Sequence, residues 1–401
     1  MKGKRAATGA PLLQEKPLSL GYEQILHCMH CGMCLTSCPT YLLTGHERSS
    51  PRGRLALMRA VAEGHLPITE TFAEEMFFCL GCLACTTACP AGVEYGPLLE
   101  QARAQVVKTQ RGSWVQSLVR GFAFGLFLSP RRMQAAARLL RWYQRSGLSR
   151  MAQSMGAWGL LPGNLKELEQ LLPPIPRRFS RHLLPEILPA EGREKARVGM
   201  LLGCVMDIFF VRENLATARV LARNGCTVVV PKEQGCCGAL HAHFGLLEEA
   251  RQLARRLIAS FEAAGVDLVI VNSAGCGSTM KEYGRLLAED PSWAQRAAAF
   301  SAKVKDVHEF LVELPYIPPH RPLRMKVTYH DACHLVHGQG IREQPRQLLR
   351  QVPGVELIEM EGAELCCGSA GIYNLLQPKL ASAALKRKVE AILATGAEAV
   401  V

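Results

Sequence analysis

The sequence predicts an α+α/β chain. A small helical domain rich in cysteine comes first, a basic helical linker follows, and two copies of an α/β unit complete it. Three observations carry this expectation. A cysteine run occurs twice near the N-terminus, with helical rather than strand periodicity between the copies. The segment after it holds basic but no acidic residues. The second half repeats a pattern of short apolar runs, amphipathic helices and a Cys-Cys-Gly tripeptide.

The first cysteine run is Cys28, Cys31, Cys34 and Cys38 before Pro39, and the second is Cys79, Cys82, Cys85 and Cys89 before Pro90. Both read C-x2-C-x2-C-x3-C-P, the bacterial signature for [4Fe-4S] ligation, and the copies lie 79 − 28 = 51 positions apart. Three thiolates at that spacing can wrap one face of a cubane. The fourth, held off by one more residue and a proline turn, points to the neighbouring cluster. The expected ligand sets are therefore Cys28, Cys31, Cys34 and Cys89 for one [4Fe-4S] cluster, and Cys79, Cys82, Cys85 and Cys38 for the other. A pair of zinc sites would use two C-x2-C pairs but leave the other four cysteines and both prolines without a role.

Composition narrows the class. The chain has 401 residues, 48% of them hydrophobic, enough for two or three domains with their own cores. Sixteen cysteines without a secretory signal point to a reducing, cytoplasmic setting where thiols serve metals. Residues 1–16 carry charges but no apolar stretch, so no signal peptide is expected. No run of 18 apolar residues occurs, so no membrane-spanning helix is expected. The net charge of +12 is uneven: from Gln101 to Leu165 there are ten Lys or Arg and no Asp or Glu.

In order, residues 1–20 read as a loose lead-in and a short helix near Tyr22 delivers Cys28. Ser50-Pro51 caps a helix running to Ala62, with Leu55, Met58 and Val61 on its apolar face. A second helix over 71–78 runs into Cys79, and a third over 97–107 follows Pro90. These helices make the first domain, residues 20–110, an α-helical ferredoxin rather than the β-rich kind. Arg48, Arg52 and Arg54 are candidates to offset cluster charge, against the plainer reading of a solvated helix start. Residues 111–194 are the linker. Within it, 114–128 is mostly apolar and 131–143 alternates basic and apolar residues. Such an amphipathic basic helix suits an anionic membrane surface or an acidic partner, or simply packs on its own domain. No recognition motif for nucleic acid accompanies the charge. Residues 163–194, rich in proline and charge, read as a domain linker.

The first α/β copy, within 195–315, has apolar runs ending at Cys204, beginning at Cys226 and ending near Cys276, with Cys236-Cys237-Gly238 between. The second, within 322–401, has Cys333 and Cys366-Cys367-Gly368. The spacing is preserved: 333 − 204 = 129 and 366 − 236 = 130. Short apolar runs separated by amphipathic helices argue for parallel strands, whose carboxyl ends gather ligands. Cys204, Cys236, Cys237, Cys276, Cys333, Cys366 and Cys367 are thus candidate ligands of a further, non-cubane cluster, the alternative being buried structural thiols. Cys226 reads as a structural thiol. Gly265 aligns with Gly396, so the counterpart of Cys276 is expected near position 407, past Val401, and the second copy reads as cut short. In the first copy, Thr279 stands where the fuller pattern has another cysteine.

Two such cysteine runs, Ser50-Pro51-Arg52-Gly53-Arg54, Gly235-Cys236-Cys237-Gly238, Tyr329-His330-Asp331-Ala332-Cys333-His334 and Leu365-Cys366-Cys367-Gly368 together resemble the iron–sulfur subunits of glycolate oxidase (glycolate dehydrogenase) over almost the whole chain. Relatives of that architecture include a subunit of anaerobic glycerol-3-phosphate dehydrogenase, lactate-utilisation proteins and heterodisulfide reductase subunits. The resemblance implies two [4Fe-4S] clusters and no FAD on this chain. It implies a flavin subunit that oxidises glycolate to glyoxylate, and onward passage of electrons toward a membrane quinone. The residues agree in one respect: no G-x-G-x-x-G dinucleotide fingerprint is present. The competing expectation is redox chemistry at the C-C-G cysteines themselves, on a disulfide or quinone, with His330, His334, His337, His241 and His243 as proton donors. An assembly scaffold is a third reading. No residue marks the particular hydroxyacid.

Overall fold

The computed structural model describes residues 21–109, 121, 124–147 and 172–401. The expectations for 1–20, for most of 114–128 and for 163–171 lie outside the described residues.

The first domain is helical, as its periodicity requires. Ser50 begins the Pro51–Ala62 helix: its hydroxyl accepts from Gly53 N at 3.0 Å and Pro51 supplies the preset first-turn φ. Gly53 cannot be replaced there, because a Cβ would stand 2.0 Å from the Glu47 carbonyl oxygen. Leu55, Met58 and Val61 pack against Phe72 and Met76 of the Glu70–Phe78 helix. Leu98, Leu99, Ala102 and Val106 of the Tyr95–Thr109 helix close this core. Each fully buried Leu or Met here contributes about 2 kcal/mol of apolar transfer.

The second half is built from two sheets. Strands β1 (Ile187–Leu188), β2 (Ala196–Met200), β3 (Cys226–Val229), β4 (Leu268–Val271) and β5 (Val304–Asp306) lie in the order β1-β3-β2-β4-β5. Strands β6 (Met325–Thr328), β7 (Val355–Ile358) and β8 (Ala399–Val400) lie in the order β7-β6-β8. The order β3-β2-β4 is repeated as β7-β6-β8, all parallel, so the internal repeat seen in the cysteine spacing is a repeat of topology. Both faces of the first sheet are covered, as a parallel sheet demands. In β4, Val269 and Val271 face a core with Leu257, Ile258 and Phe261, while Ile270 faces the opposite core with Val198, Val228 and Phe310. The Leu247–Ala263 helix supplies the first of these from Ala250, Leu253, Ala254, Leu257, Ile258 and Phe261, a 3.6-residue stripe.

Three features differ from the sequence expectation. Strand β1, read there as linker, pairs antiparallel with β3, and Leu184 beside it enters the sheet's core. Residues from Ile175 onward thus belong structurally to the first α/β unit. Two residues of strand flanked by prolines are too short to show period-2 alternation. Strand β5 and the Ala294–Lys303 helix were not anticipated either. Asp306 ends β5 and caps the next helix, accepting from His308 N at 2.9 Å. Finally, the strands are shorter than the apolar runs: Cys204 and Cys276 lie just after β2 and β4, as expected, but at the starts of the helices that follow.

Candidate iron–sulfur sites

The two cysteine runs adopt the same backbone. The second residue after the leading cysteine is left-handed in both, at His30 (φ 57°) and Gly81 (φ 67°). So is the fourth, at Gly32 (φ 86°) and Leu83 (φ 64°). Two left-handed residues per run turn successive thiols inward. His30 and Leu83 hold that shape without glycine, at a cost of about 1 kcal/mol or more each. Arg52 steadies the first loop by donating to the His30 carbonyl at 2.9 Å, with its other nitrogens on Glu47 at 2.6 and 3.2 Å.

Cys28, Cys31, Cys34 and Cys89 line one small concavity of about 30 Å³, with Pro90 and Tyr95 in its wall. That is the first expected ligand set, brought together across 61 residues. Cys85 borders the same concavity, so the two sites adjoin. The second site is more enclosed. Burial pushes the Cys85 thiol up first, and the charges of Cys82, Cys79, Cys38 and Cys34 add to it. Cys38 is buried, its Sγ 3.2 Å from the Thr40 hydroxyl. Gly81 N donates to Cys79 Sγ at 3.4 Å, and Tyr95 OH lies 3.8 Å from it.

Two buried arginines flank this second set. Arg54 is fully buried. It donates to the Glu75 carbonyl at 2.7 Å and to Thr40 Oγ1 at 3.1 Å, and its ion pair with the Glu75 carboxylate spans 3.6 Å. Desolvation opposes its charge, but the negative forms of Cys79, Tyr95, Cys38 and Glu75 together outweigh that and hold it protonated. Of the three arginines flagged in the sequence, Arg54 faces the cysteines from within. Arg48 instead reaches Glu75 from outside at 2.9 Å. The other buried cation, Arg103, was not anticipated: it donates to the carbonyls of Met76 (3.0 Å), Cys79 (2.5 Å) and His243 (2.6 Å). It therefore ties the second cysteine loop to the first α/β unit. Sequence gives no signal for it, because one arginine on a helix acquires its partners only in the tertiary fold.

The C-C-G cysteines form two thiol groups. Cys204, Cys236, Cys237 and Cys276 lie close enough to act on one another's ionisation, Cys204 and Cys237 on Cys236 and Cys276 on Cys237. Cys236 is driven well below the usual thiol range, by the Cys204 and Cys237 hydrogen bonds first, and its partners are driven well above. In the second unit, Cys333 beside Cys366 pushes its thiol up to about 12, and Cys82 of the ferredoxin domain packs against the same buried cluster as Cys366. Gly238 N and Gly368 N each donate to the first cysteine of their pair at 3.4 Å. Both glycines are left-handed (φ 84° and 83°), and a Cβ on Gly368 would stand 2.4 Å from Ala381 O. The repeat thus reproduces a backbone N–H aimed at sulfur in both units. Cys226 by contrast is isolated from the other cysteines and fully buried in β3, its thiol pushed up to about 11 chiefly by burial. It is a structural thiol, as its position in the sequence implies.

Between the helical domain and both α/β units lies a cavity of about 550 Å³. Its wall includes Cys79, Cys204, Cys236, Cys237, Cys276, Cys333 and Cys367, and also His243, His330, His334 and His337. Four of the five histidines singled out in the sequence therefore meet there, from elements far apart in the chain. His241 instead packs its ring edge-on against Phe124 at 5.3 Å. His243 is hydrogen-bonded to Glu100 at 2.9 Å, and its ring lies 5.1 Å from that of His334. Asp331, in the Tyr329–His334 motif, is paired in bidentate fashion with Arg346 at 2.8 Å through both oxygens, both groups buried. This pair fixes the loop that carries Cys333.

The residues fit iron–sulfur clusters. Clustered buried thiols cannot all ionise on their own, whereas bound iron deprotonates every ligand. Among the described residues, no three His, Cys, Asp or Glu side chains converge as a single metal ion requires. The ferredoxin cysteines instead ring a volume, as ligands distributed over several irons do.

Comparison with known proteins agrees with this layout. A family model described as a 4Fe-4S dicluster domain matches residues 24–93. A cysteine-rich domain matches twice, at 198–281 and 327–401. The glycolate oxidase iron–sulfur subunit linker region matches 115–172. A Bacillus subtilis protein named probable glycolate oxidase iron–sulfur subunit is 44% identical over 93% of this chain and 85% of its own length. The Escherichia coli glycolate oxidase iron–sulfur subunit is 32% identical over 95% of this chain and 88% of its own. Lactate utilization protein A of Exiguobacterium is 32% identical over 51% of this chain and 84% of its own. With two of these relatives aligned along nearly their whole length, and the linker model of the same family matched, the chain belongs to the glycolate oxidase iron–sulfur subunit family.

Proposed function

We propose that this chain is the electron-transfer subunit of a multi-subunit glycolate or 2-hydroxyacid dehydrogenase, cytoplasmic and peripheral to the membrane face. A flavin on a partner chain oxidises glycolate to glyoxylate, removing two electrons and two protons, and a quinone-type acceptor takes the electrons. Cys28, Cys31, Cys34 and Cys89 hold one [4Fe-4S] cluster; Cys38, Cys79, Cys82 and Cys85 hold the other. Bound clusters supply one-electron carriers between a two-electron flavin and a distant acceptor. The protein's own contribution is ligation, burial, the charges of Arg54 and Arg103, and N–H groups aimed at sulfur.

The observation that carries the reading is the packing of Cys82 against the buried cluster of Leu80, Cys366, Tyr373 and Ala381, which joins the ferredoxin ligands to the C-C-G half. The cavity favours a second reading, in which the C-C-G cysteines Cys204, Cys236, Cys237, Cys276, Cys333, Cys366 and Cys367 hold a non-cubane cluster and themselves reduce a disulfide or quinone, as in heterodisulfide-reductase-like or glycerol-3-phosphate and lactate dehydrogenase subunits. One experiment separates them: purify the complex with its flavin chains, then measure glycolate-driven quinone reduction for wild type, Cys85→Ser and Cys236→Ser. The relay requires loss in Cys85→Ser with dye reduction at the flavin retained. Loss confined to Cys236→Ser, together with loss of iron beyond about eight atoms per chain, supports the second reading.

A further inference from the structure

The Pro130–Arg145 helix has two faces with different tasks. Its inner face packs on the first α/β unit: Ala137 is buried with Ile175, Phe179 and Ile208, and Met133 and Leu140 pack beside them. Its start roofs the first C-C-G site. Pro130 and Met133 line the same small pocket as Cys204 and Cys236, and a Cβ on Gly235 would meet Pro130 at 4.0 Å. The outer face reads Arg131, Ala135, Arg138, Leu139, Trp142 and Arg145, all exposed. At 100° per residue Arg131, Ala135, Arg138, Trp142 and Arg145 fall on one stripe, with Leu139 at its edge.

Two large apolar side chains stand open on this stripe, Leu139 at 66% and Trp142 at 60% exposure. The helix holds five arginines and no acid. Among the described residues none of the five is ion-paired with a carboxylate; Arg132 donates to the Gly125 carbonyl. A solvated surface helix ordinarily mixes both charge signs and carries no exposed tryptophan flanked by arginines. An anionic lipid surface matches both features, taking the indole and leucine at the headgroup level while the guanidinium groups meet phosphates.

We propose that this face is a docking surface for an anionic membrane. It seats the chain with the Cys204/Cys236 site about one helix diameter, ~10 Å, from the headgroups. The first C-C-G unit, rather than the second, is then the side presented to a lipid-dissolved acceptor. The inference rests on the relay reading only for that last consequence; lipid binding stands on the helix alone.

The test uses the full-length, anaerobically reconstituted chain and sedimentation with phosphatidylcholine vesicles, with and without phosphatidylglycerol. Binding is expected only with phosphatidylglycerol, falling as salt rises. A combined Arg131→Glu, Arg138→Glu and Arg145→Glu variant is expected to weaken it on the order of a hundredfold, since each arginine near such a surface is worth about fivefold. Wild type should show a blue-shifted tryptophan emission on binding that Trp142→Phe lacks. Equal binding to both vesicle types, or a triple variant that binds like wild type, overturns the proposal. So does absence of vesicle binding with loss of the flavin chains in the triple variant, which would make the face a protein interface. Glycolate-driven dye reduction by the soluble complex should be unchanged in the triple variant. If wild type binds vesicles yet glycolate leaves the complex's clusters oxidised, the relay reading fails and the docking surface stands.

Discussion

Replacing Arg54 with glutamine should separate the electronic role of a buried charge from its structural one. Arg54 is fully enclosed between Glu75 and the Cys38/Cys79 side of the second ligand set. Two effects follow. Removing one member of a buried pair strands the other, normally at about 3–5 kcal/mol. Here Glu75 keeps Arg48 at 2.9 Å and the Ser49 hydroxyl at 3.0 Å, so the lower end, about 3 kcal/mol, is expected. The second effect is electrostatic. A unit charge at the ~6 Å range over which neighbouring charges shift ionisation, at an effective dielectric near 20, favours the more negative reduced state by about 3 kcal/mol. For a one-electron couple, losing that charge lowers the midpoint potential by roughly 100 mV. The assay is an EPR-monitored redox titration of the reconstituted protein. Arg54→Gln should shift the cluster of Cys38, Cys79, Cys82 and Cys85 downward by about that amount and leave the other nearly in place. Arg54→Lys should recover most of the shift. A folded Arg54→Gln protein whose two potentials both match wild type would refute the reasoning.

Other outcomes follow from the same geometry. Cys89→Ser should lose the cluster of Cys28, Cys31 and Cys34 and spare its neighbour, so iron analysis with EPR should show one remaining cubane; loss of the other signal instead would mean the fourth ligands are not exchanged between runs. Gly368→Ala, whose Cβ would stand 2.4 Å from Ala381 O in a left-handed backbone, should destabilise more than Gly238→Ala, where the nearest atom is 3.2 Å away, a ranking that thermal unfolding measures. Asp331→Ala leaves Arg346 buried without its bidentate partner and should cost about 3–5 kcal/mol in denaturant unfolding. Cys226→Ala should keep the full iron content with only about 1 kcal/mol lost, because its thiol is isolated in β3.

What the sequence made legible follows the range of the interactions. The cysteine spacing is a local code, and the first expected ligand set, Cys28 to Cys34 with Cys89, lines one concavity. The Ser50-Pro51 cap is local too, and its helix forms where expected; the stripe from Ala250 to Phe261 is a local pattern of the same kind. The repeat was legible because topology is copied with spacing. The misses are non-local. Strand β1 exists only because β3 offers it an edge, and Arg103 matters only because three carbonyls from separate elements surround it. The packing of Cys82 against the buried cluster of Cys366 joins residues 284 apart, and no pattern within either motif announces it. The cavity shared by the histidines is likewise a product of how three domains meet.

Whether electrons from glycolate enter this chain is tested most directly by mixing the reconstituted chain with its flavin partner chains and glycolate without oxygen, then recording low-temperature EPR. Both cubane signals are expected to appear on glycolate addition, with Cys85→Ser lacking the signal of its own cluster. Clusters that dithionite reduces but glycolate leaves oxidised, while the flavin chains still turn over glycolate, would contradict the relay.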